Sequence, residues 1–289
     1  MPRGIPYHRG MNSRPERFAA PEPSVVPEEG LHVGHYLYRF RRENVSQPLS
    51  PATVDAFRSA LHPSSDASPS KLAVYWTSGH RADFAVFVMD RDPAVVDAVH
   101  QSLQSSTLGT IIEPTWSFVS ISEISEYVPS VDQFRENLIA EGVDPSDVEQ
   151  RVAGYERRLP IMNKQRIEPE IPDWPAACFY PMNKIRDPHA NWFATPFSAR
   201  RKMMSEHAAS GIEFAGRVSQ LISVGVGLDD WEWMVTLWAR NPQYLKDIVY
   251  RMRFDEASAK YAEFGPFYVG YKSDADGILR HCRLLPSDG

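Results

Sequence analysis

Short runs in which apolar residues alternate with polar ones, or fill every position, are separated along this chain by stretches whose apolar residues return every third or fourth place. Strand side chains repeat with a period of two and helix side chains with a period of 3.6, so the pattern predicts strands and helices in turn. From residue 31, "LHVGHYLYRF" reads as a strand. "SPATVDAFRSAL" reads as a helix with Ser50 as N-cap, Pro51 at its first position and Val54, Phe57 and Leu61 along one side. "KLAVYWT" and "DFAVFVMD" follow as strands joined by a short turn around Gly79. A helix opened by Asp92 and Pro93, with Val95, Val96, Val99 and Leu103 as its stripe, leads to the strand "TWSFVSIS". The order is β-α-β-β-α-β.

That order returns in the second half. The strand "ACFYPMNK" leads to a helix over roughly 197 to 214, and "RVSQLISVGV" and "DWEWMVTLWA" meet at a tight Gly-Leu-Asp turn. Asn241 and Pro242 then open a long helix, and "PFYVGYK" closes the unit. "GHRADFAVFVMDRDPAVV" and "GLDDWEWMVTLWARNPQYL" share the turn, the strand and the Asx-Pro helix start, which argues for duplication. The predicted class is α+β: two ferredoxin-like βαββαβ units in one chain, as in dimeric α+β barrels, with their free sheet faces buried against each other. The expected divisions are an arm over residues 1–30, an N-terminal unit over 31–125, a polar linker over 126–175 and a C-terminal unit over 176–285.

The composition, 43% hydrophobic and 24% charged, is that of an ordinary globular protein. A net charge of -6 and a pI near 5.9 leave no basic footprint, so nucleic acid and anionic membranes are poor partners, and an anionic ligand must be met by local Arg and Lys. Cys178 and Cys282 are too few for a disulfide framework or zinc site, which fits a reducing cytoplasm. No apolar run is long enough to span a bilayer, and the Pro- and Arg-rich arm has no apolar core like that of a secretory signal.

Candidate chemistry concentrates in the second half. In "ACFYPMNKIR", extended backbone places Tyr180, Met182 and Lys184 on one face and Phe179 and Asn183 on the other, while Pro181, which cannot donate to a ladder, implies an edge strand or a bulge. In "ARRKMMSEHAASGIEF", His207 shares a stripe with Met203, Met204 and Gly211. A histidine there is usually a core residue bonded to backbone; the alternative is an axial ligand for a metal macrocycle, with Ala208 and Gly211 leaving room for a flat ring. Gln220 lies among Val218, Ile222 and Val224, so its amide is either satisfied by a loop or set above a reactive centre. Arg253, Glu256 and Ser258 read as a solvated face, or Arg253 and Ser258 as donors for a carboxylate, to which Arg166 and Lys184 could add. There is no P-loop, dinucleotide fingerprint, nucleophile elbow or paired Cys/His metal spacing.

The segments "FYPMNK", "NWF", "MMSEH", "GLDDWEW" and "IVYRMRFDEASAKYAEFGPFYVG" resemble the coproheme decarboxylases of the chlorite-dismutase-like superfamily, from about residue 31 onward and most densely from 174 to 272. The resemblance implies His207 as the axial iron ligand, Tyr180 as the catalytic tyrosine with Met182 and Lys184 following, Gln220 as the distal amide, and Arg253, Ser258 and Arg166 as propionate-binding groups. It implies peroxide-dependent decarboxylation of two propionates of iron coproporphyrin III, which is substrate and redox cofactor at once. Hydrogen peroxide is the oxidant, Tyr180 passes through a radical, and the route runs through a three-propionate intermediate to haem b. A homopentamer and delivery from a coproporphyrin ferrochelatase are further implications.

Two rivals follow from the same residues. A chlorite dismutase would want a distal cation where Gln220 stands, and a haem-binding or haem-delivery protein would have no need of Tyr180. Ile212 and Phe214 depart from the family's usual Arg and Tyr, and the arm is longer than usual. Glu256 is a candidate partner for the His207 imidazole. His35 and His189 match no family role and read as structural.

Overall fold

Each Ser-Pro or Asx-Pro start read from the sequence opens a helix. Ser50 accepts a hydrogen bond from the Thr53 amide, Asp92 from Ala94 and Asn241 from Gln243, which satisfies donors a helix start leaves free. The computed structural model describes residues 22–45, 48–62, 67–105 and 107–285, so the expected arm lies outside the described residues as far as position 21.

The first unit runs β1 (His32–Phe40), α1 (Pro51–Ala60), β2 (Lys71–Thr77), β3 (Phe84–Asp90), α2 (Pro93–Leu103) and β4 (Ile112–Ser122). The polar stretch after it carries two helices, α3 (Val131–Ala140) and α4 (Pro145–Ile167). The second unit runs β5 (Ala176–Lys184), the small strands β6 (Arg186–Asp187) and β7 (Ala190–Asn191), α5 (Phe197–Ile212), β8 (Val218–Val224), β9 (Trp233–Ala239), α6 (Pro242–Met252), α7 (Glu256–Ala259), β10 (Ala262–Phe264), β11 (Tyr268–Ser273) and α8 (Ala275–His281). Among the described residues no helix is long and apolar enough to cross a membrane.

Each unit is an antiparallel ferredoxin-like sheet, ordered β4-β1-β3-β2 and β11-β5-β9-β8. The free faces do meet, but edge pairing brings them together. β2 pairs with β11, β4 pairs with β8, and the eight strands close into a barrel that removes the exposed edges. Tyr75, Phe87 and Phe118 from one unit and Phe179, Leu221 and Trp238 from the other fill its interior, where the Trp238 indole donates to the Tyr75 hydroxyl at 2.8 Å. Outside, α1, α2 and α8 cover the first sheet, with Phe57 of α1 among Tyr38, Phe40 and Phe84, and Leu245 and Ile248 of α6 cover the second over Val235 and Leu237.

Two local expectations change. The β8–β9 connection is eight residues, 225–232, rather than a tight turn; it holds Gly227 at φ +78°. Of the two readings of Pro181, the edge strand fails because β5 is paired on both sides, and the bulge holds, since residues 265–267 stand opposite only Tyr180 and Pro181.

His35 lies inside the barrel, joined at 2.8 Å to Thr236 of the other unit and packed edge-on to Phe87 and Phe179, with its Nδ1 unpartnered. Burial lowers its pKa to about 3 from an ordinary 6.5. The unfolded chain therefore takes up this proton first, and stability should fall as pH drops from about 6.5 toward 3. Urea melts should show this residue removing on the order of 3 kcal/mol by pH 4. A His35→Gln variant should have a shallower slope by one proton; an unchanged slope would show that His35 is not the buried proton acceptor.

Candidate functional site

Strand register decides which side chains share a face. Tyr180 is opposite Val235 and Val235 opposite Ile222; Cys178 is opposite Leu237 and Leu237 opposite Gln220. Alternation then places Tyr180, Met182, Gln220 and Ile222 on the outer face, and Phe179, Leu221 and Trp238 inside the barrel. The apolar company expected around Gln220 is present but uncovered, since Gln220 and Ile222 are both exposed. Tyr180 is 6% exposed, and burial raises its phenol pKa; the neighbouring Cys178 adds to the shift and Arg253 opposes it.

Helix α5 has almost no apolar side. It buries only Met203 and Ser210 and has no side-chain N-cap, so apolar packing does not press it onto the sheet. A carboxylate holds it instead. Buried Asp255 accepts from His207 Nδ1 at 3.0 Å, from Ser210 Oγ at 2.8 Å and from Arg251 Nη1 at 3.1 Å. Gly211 leaves space for α6 rather than for a flat ring, because a Cβ there would meet the Met252 methyl at 2.9 Å. Burial lowers the His207 pKa while Asp255 opposes the shift, so the ring is neutral near pH 7. The hydrogen bond assigns its proton to Nδ1 and leaves the Nε2 lone pair for a metal.

The turn from Arg253 to Ser258 joins the rest. Asp255 holds His207, and the Ala257 carbonyl accepts from Lys184 Nζ at 2.7 Å. Ser258 is buried beside them, and the Arg253 guanidinium lies 5.4 Å from the Phe264 ring centre with no carboxylate in ion-pair range among the described residues. Lys184 also sits 4.2 Å from the centre of the Trp192 ring, and Trp192 packs with Met203 and Ala257. Burial lowers the Lys184 pKa to about 8 against the pull of Glu232. Glu232 is itself buried, accepts from the Lys184 backbone amide at 2.7 Å and pairs with Arg186.

The structure thus gathers Tyr180, Met182, Lys184, His207, Arg253 and Ser258, and sets Gln220 two strands away on the same face. Arg166 stands apart at the end of α4, where it donates to Asn163 and where burial lowers its pKa against the pull of Tyr155. The partner of His207 is Asp255, not Glu256, which is exposed. Asp255 could have been found as the N-cap-type residue before α7 in "RFDEAS". Trp192 and Glu232 lie in the quoted segments "NWF" and "GLDDWEW", but nothing local in the sequence gives either a role.

These residues fit a flat metal macrocycle better than a bare ion. Among the described residues no three His, Cys, Asp or Glu side chains converge, whereas one partly exposed imidazole, held through Nδ1, sits on a helix that buries little, in a unit whose sheet leaves Gln220 and Ile222 exposed.

Comparison with known proteins agrees with that chemistry. The family model for chlorite dismutase matches residues 51–273. A coproheme decarboxylase of Oceanobacillus iheyensis is 32% identical over 267 residues, 90% of this chain and 99% of that protein. A protein of Natronomonas pharaonis named for heme binding is 40% identical over 205 residues, 71% of this chain. The chain spans about a third of the length of that protein and of two others named for heme binding, from Haloarcula marismortui and Haloquadratum walsbyi. The structure of a heme-binding protein from Thermus thermophilus superposes with a TM-score of 0.69 at 30% identity, over 92% of this chain and 99% of that one. Chlorite dismutase from Candidatus Nitrospira defluvii shares the fold, with a TM-score of 0.65 at 17% identity over 89% of this chain and 96% of that one.

Proposed function

The chain belongs to the chlorite dismutase family, and from that premise we propose that it is a peroxide-dependent coproheme decarboxylase. Two propionates of iron coproporphyrin III become vinyls, through a three-propionate intermediate, to give haem b. The observation that carries this reading is the Arg253–Ser258 turn, which ties an imidazole suited to iron and the lysine that ends the tyrosine strand to one short segment. A haem carrier needs the imidazole but not the buried tyrosine.

Bound coproheme supplies the iron at which hydrogen peroxide delivers its oxidising equivalents. His207 holds that iron through Nε2 while Asp255 fixes the ring. Lys184 has two N–H groups left after bonding Ala257 and presents them to a propionate carboxylate, and Arg253 and Ser258 hold further propionates, whereas Arg166, outside this cluster, could reach only a propionate at the far rim of the ring. Gln220, on the same sheet face as Tyr180, would offer its amide to the bound substrate. Tyr180 gives up its phenolic hydrogen, and the resulting radical takes a hydrogen atom from the propionate β-carbon. Each turn converts one propionate, one peroxide and one proton into a vinyl, carbon dioxide and two waters. Assembly as a homopentamer and delivery of substrate by a ferrochelatase belong to the same proposal.

Protein loaded with iron coproporphyrin III and titrated anaerobically with peroxide should lose two carboxyl groups stepwise by mass spectrometry. A porphyrin that bleaches with all four propionates intact would overturn the reading. Affinity should also depend on pH. Lys184 loses its charge as pH rises through about 8, so iron coproporphyrin III should bind more weakly at pH 9.5 than at pH 7, by on the order of tenfold for one lost carboxylate contact. Lys184→Arg should flatten that dependence; an equally steep profile would assign it to another group.

A further inference from the structure

Among the described residues the Tyr180 hydroxyl makes no hydrogen bond that would fix its ring, so ring contacts must do so. We propose that Phe264 and Phe267 are positioning residues of the reaction, clamping the Tyr180 ring in one orientation and keeping water from it. This deepens the proposed decarboxylase reading and rests on it.

The clamp begins as an irregularity in strand pairing. β10 pairs with β5 so that Phe264 faces Met182, and β11 pairs so that Tyr268 faces Phe179. Between those pairs, three residues, 265–267, stand opposite only two, Tyr180 and Pro181. That is a β-bulge, a feature that re-aims side chains. It occurs at the one residue of β5 that has no amide hydrogen to give. Gly265 anchors the bulge. Its amide donates to the Pro181 carbonyl at 2.9 Å, and a Cβ at this position would lie 2.7 Å from Pro181 Cγ and 2.9 Å from the Trp231 ring, so only glycine fits so close.

The bulge turns both phenyl rings onto Tyr180. Phe267 stacks on it with centroids 4.3 Å apart at 20°, and Phe264 meets it edge-on at 5.8 Å and 66°. The two phenyls are themselves tilted by 50°. A parallel ring blocks rotation about χ2 and an inclined one blocks sideways swing, so together they leave the tyrosine one orientation. Phe264 also carries the Arg253 guanidinium on its face, which sets the proposed propionate-binding cation beside the phenol. Hydrogen-atom transfer is steep in distance, and a misplacement of about 1 Å can cost on the order of a hundredfold in rate.

Phe267→Leu keeps an apolar side chain but removes the stack, and Phe267→Tyr keeps the ring. With iron coproporphyrin III and peroxide, Phe267→Leu should lower kcat at least tenfold with KM within about twofold, and should consume more peroxide per carboxyl lost. Phe267→Tyr should restore the wild-type ratio. In ligand-free protein carrying ring-labelled tyrosine, NMR should show the Tyr180 ring flipping faster and its phenol titrating at lower pH in Phe267→Leu only. Loss of thermal stability with unchanged ring dynamics and unchanged peroxide coupling would make Phe267 a packing residue and overturn the proposal. If the wild-type protein decarboxylates nothing, the functional reading fails, and the ligand-free NMR comparison still decides the clamp.

Discussion

Tyr180→Phe should bind iron coproporphyrin III as tightly as the parent and leave it undecarboxylated. Phenylalanine keeps the volume, the stack on Phe267 and the edge contact with Phe264, so the fold should lose less than about 1.5 kcal/mol. The hydroxyl is all that goes. If it carries the hydrogen atom between oxidant and propionate, the turnover rate should fall on the order of a thousandfold or more, equivalent to about 4 kcal/mol of barrier. Visible-absorption titration of the ferric porphyrin checks binding, and mass spectrometry after peroxide checks chemistry. A haem carrier would be indifferent in both assays. A variant that still produced haem b at the parental rate would remove Tyr180 from the mechanism.

The value of that comparison depends on Tyr180 being well held, and much of the holding is long-range. The sequence shows strongly what is local. Asx-Pro caps and a change of apolar period from two to 3.6 delimit most elements of both units, because capping and alternation act over a few residues. The closure of two sheets into one barrel is not local. It rests on the short β2–β11 and β4–β8 seams, which join residues far apart in the chain and leave no periodic mark on either strand. Helices α3 and α4 are hard to read for a different reason: they pack mainly on each other through a small cluster around Leu138, Val148 and Val152, their surfaces are polar, and α4 contains Pro160.

The site divides in the same way. The Tyr-Pro-Met-Asn-Lys alternation is visible in residues 180–184, but the Lys184 ammonium reaches a carbonyl 73 residues away. The duplication itself explains why only one unit has an open face. Helix α1 drives Phe57 onto Phe40 and Phe84, filling the space beneath it with its own aromatic rings. The corresponding helix α5 presents His207 and buries little, and a buried carboxylate holds it in place of a core.

That substitution makes Asp255 the residue whose loss should reach furthest. Asp255→Ala removes the acceptor shared by His207, Ser210 and Arg251. Arg251 keeps Glu213, but the Ser210 hydroxyl is left buried without its partner and the imidazole is free to turn. Breaking a buried charged network should cost the fold on the order of 3 kcal/mol. If His207 is the iron ligand proposed, losing the group that orients its imidazole should weaken ferric coproporphyrin III binding by about ten- to a hundredfold. Asp255→Asn, which keeps the shape and one acceptor oxygen, should fall between that variant and the parent. Glu256→Ala should leave both quantities nearly unchanged, within about 0.5 kcal/mol, because its side chain is exposed. Urea melts of the ligand-free protein and absorption titrations with the ferric porphyrin give the two numbers separately. If the Glu256 variant lost porphyrin affinity and the Asp255 variants kept it, the carboxylate behind the imidazole would be Glu256, and α5 would need another anchor.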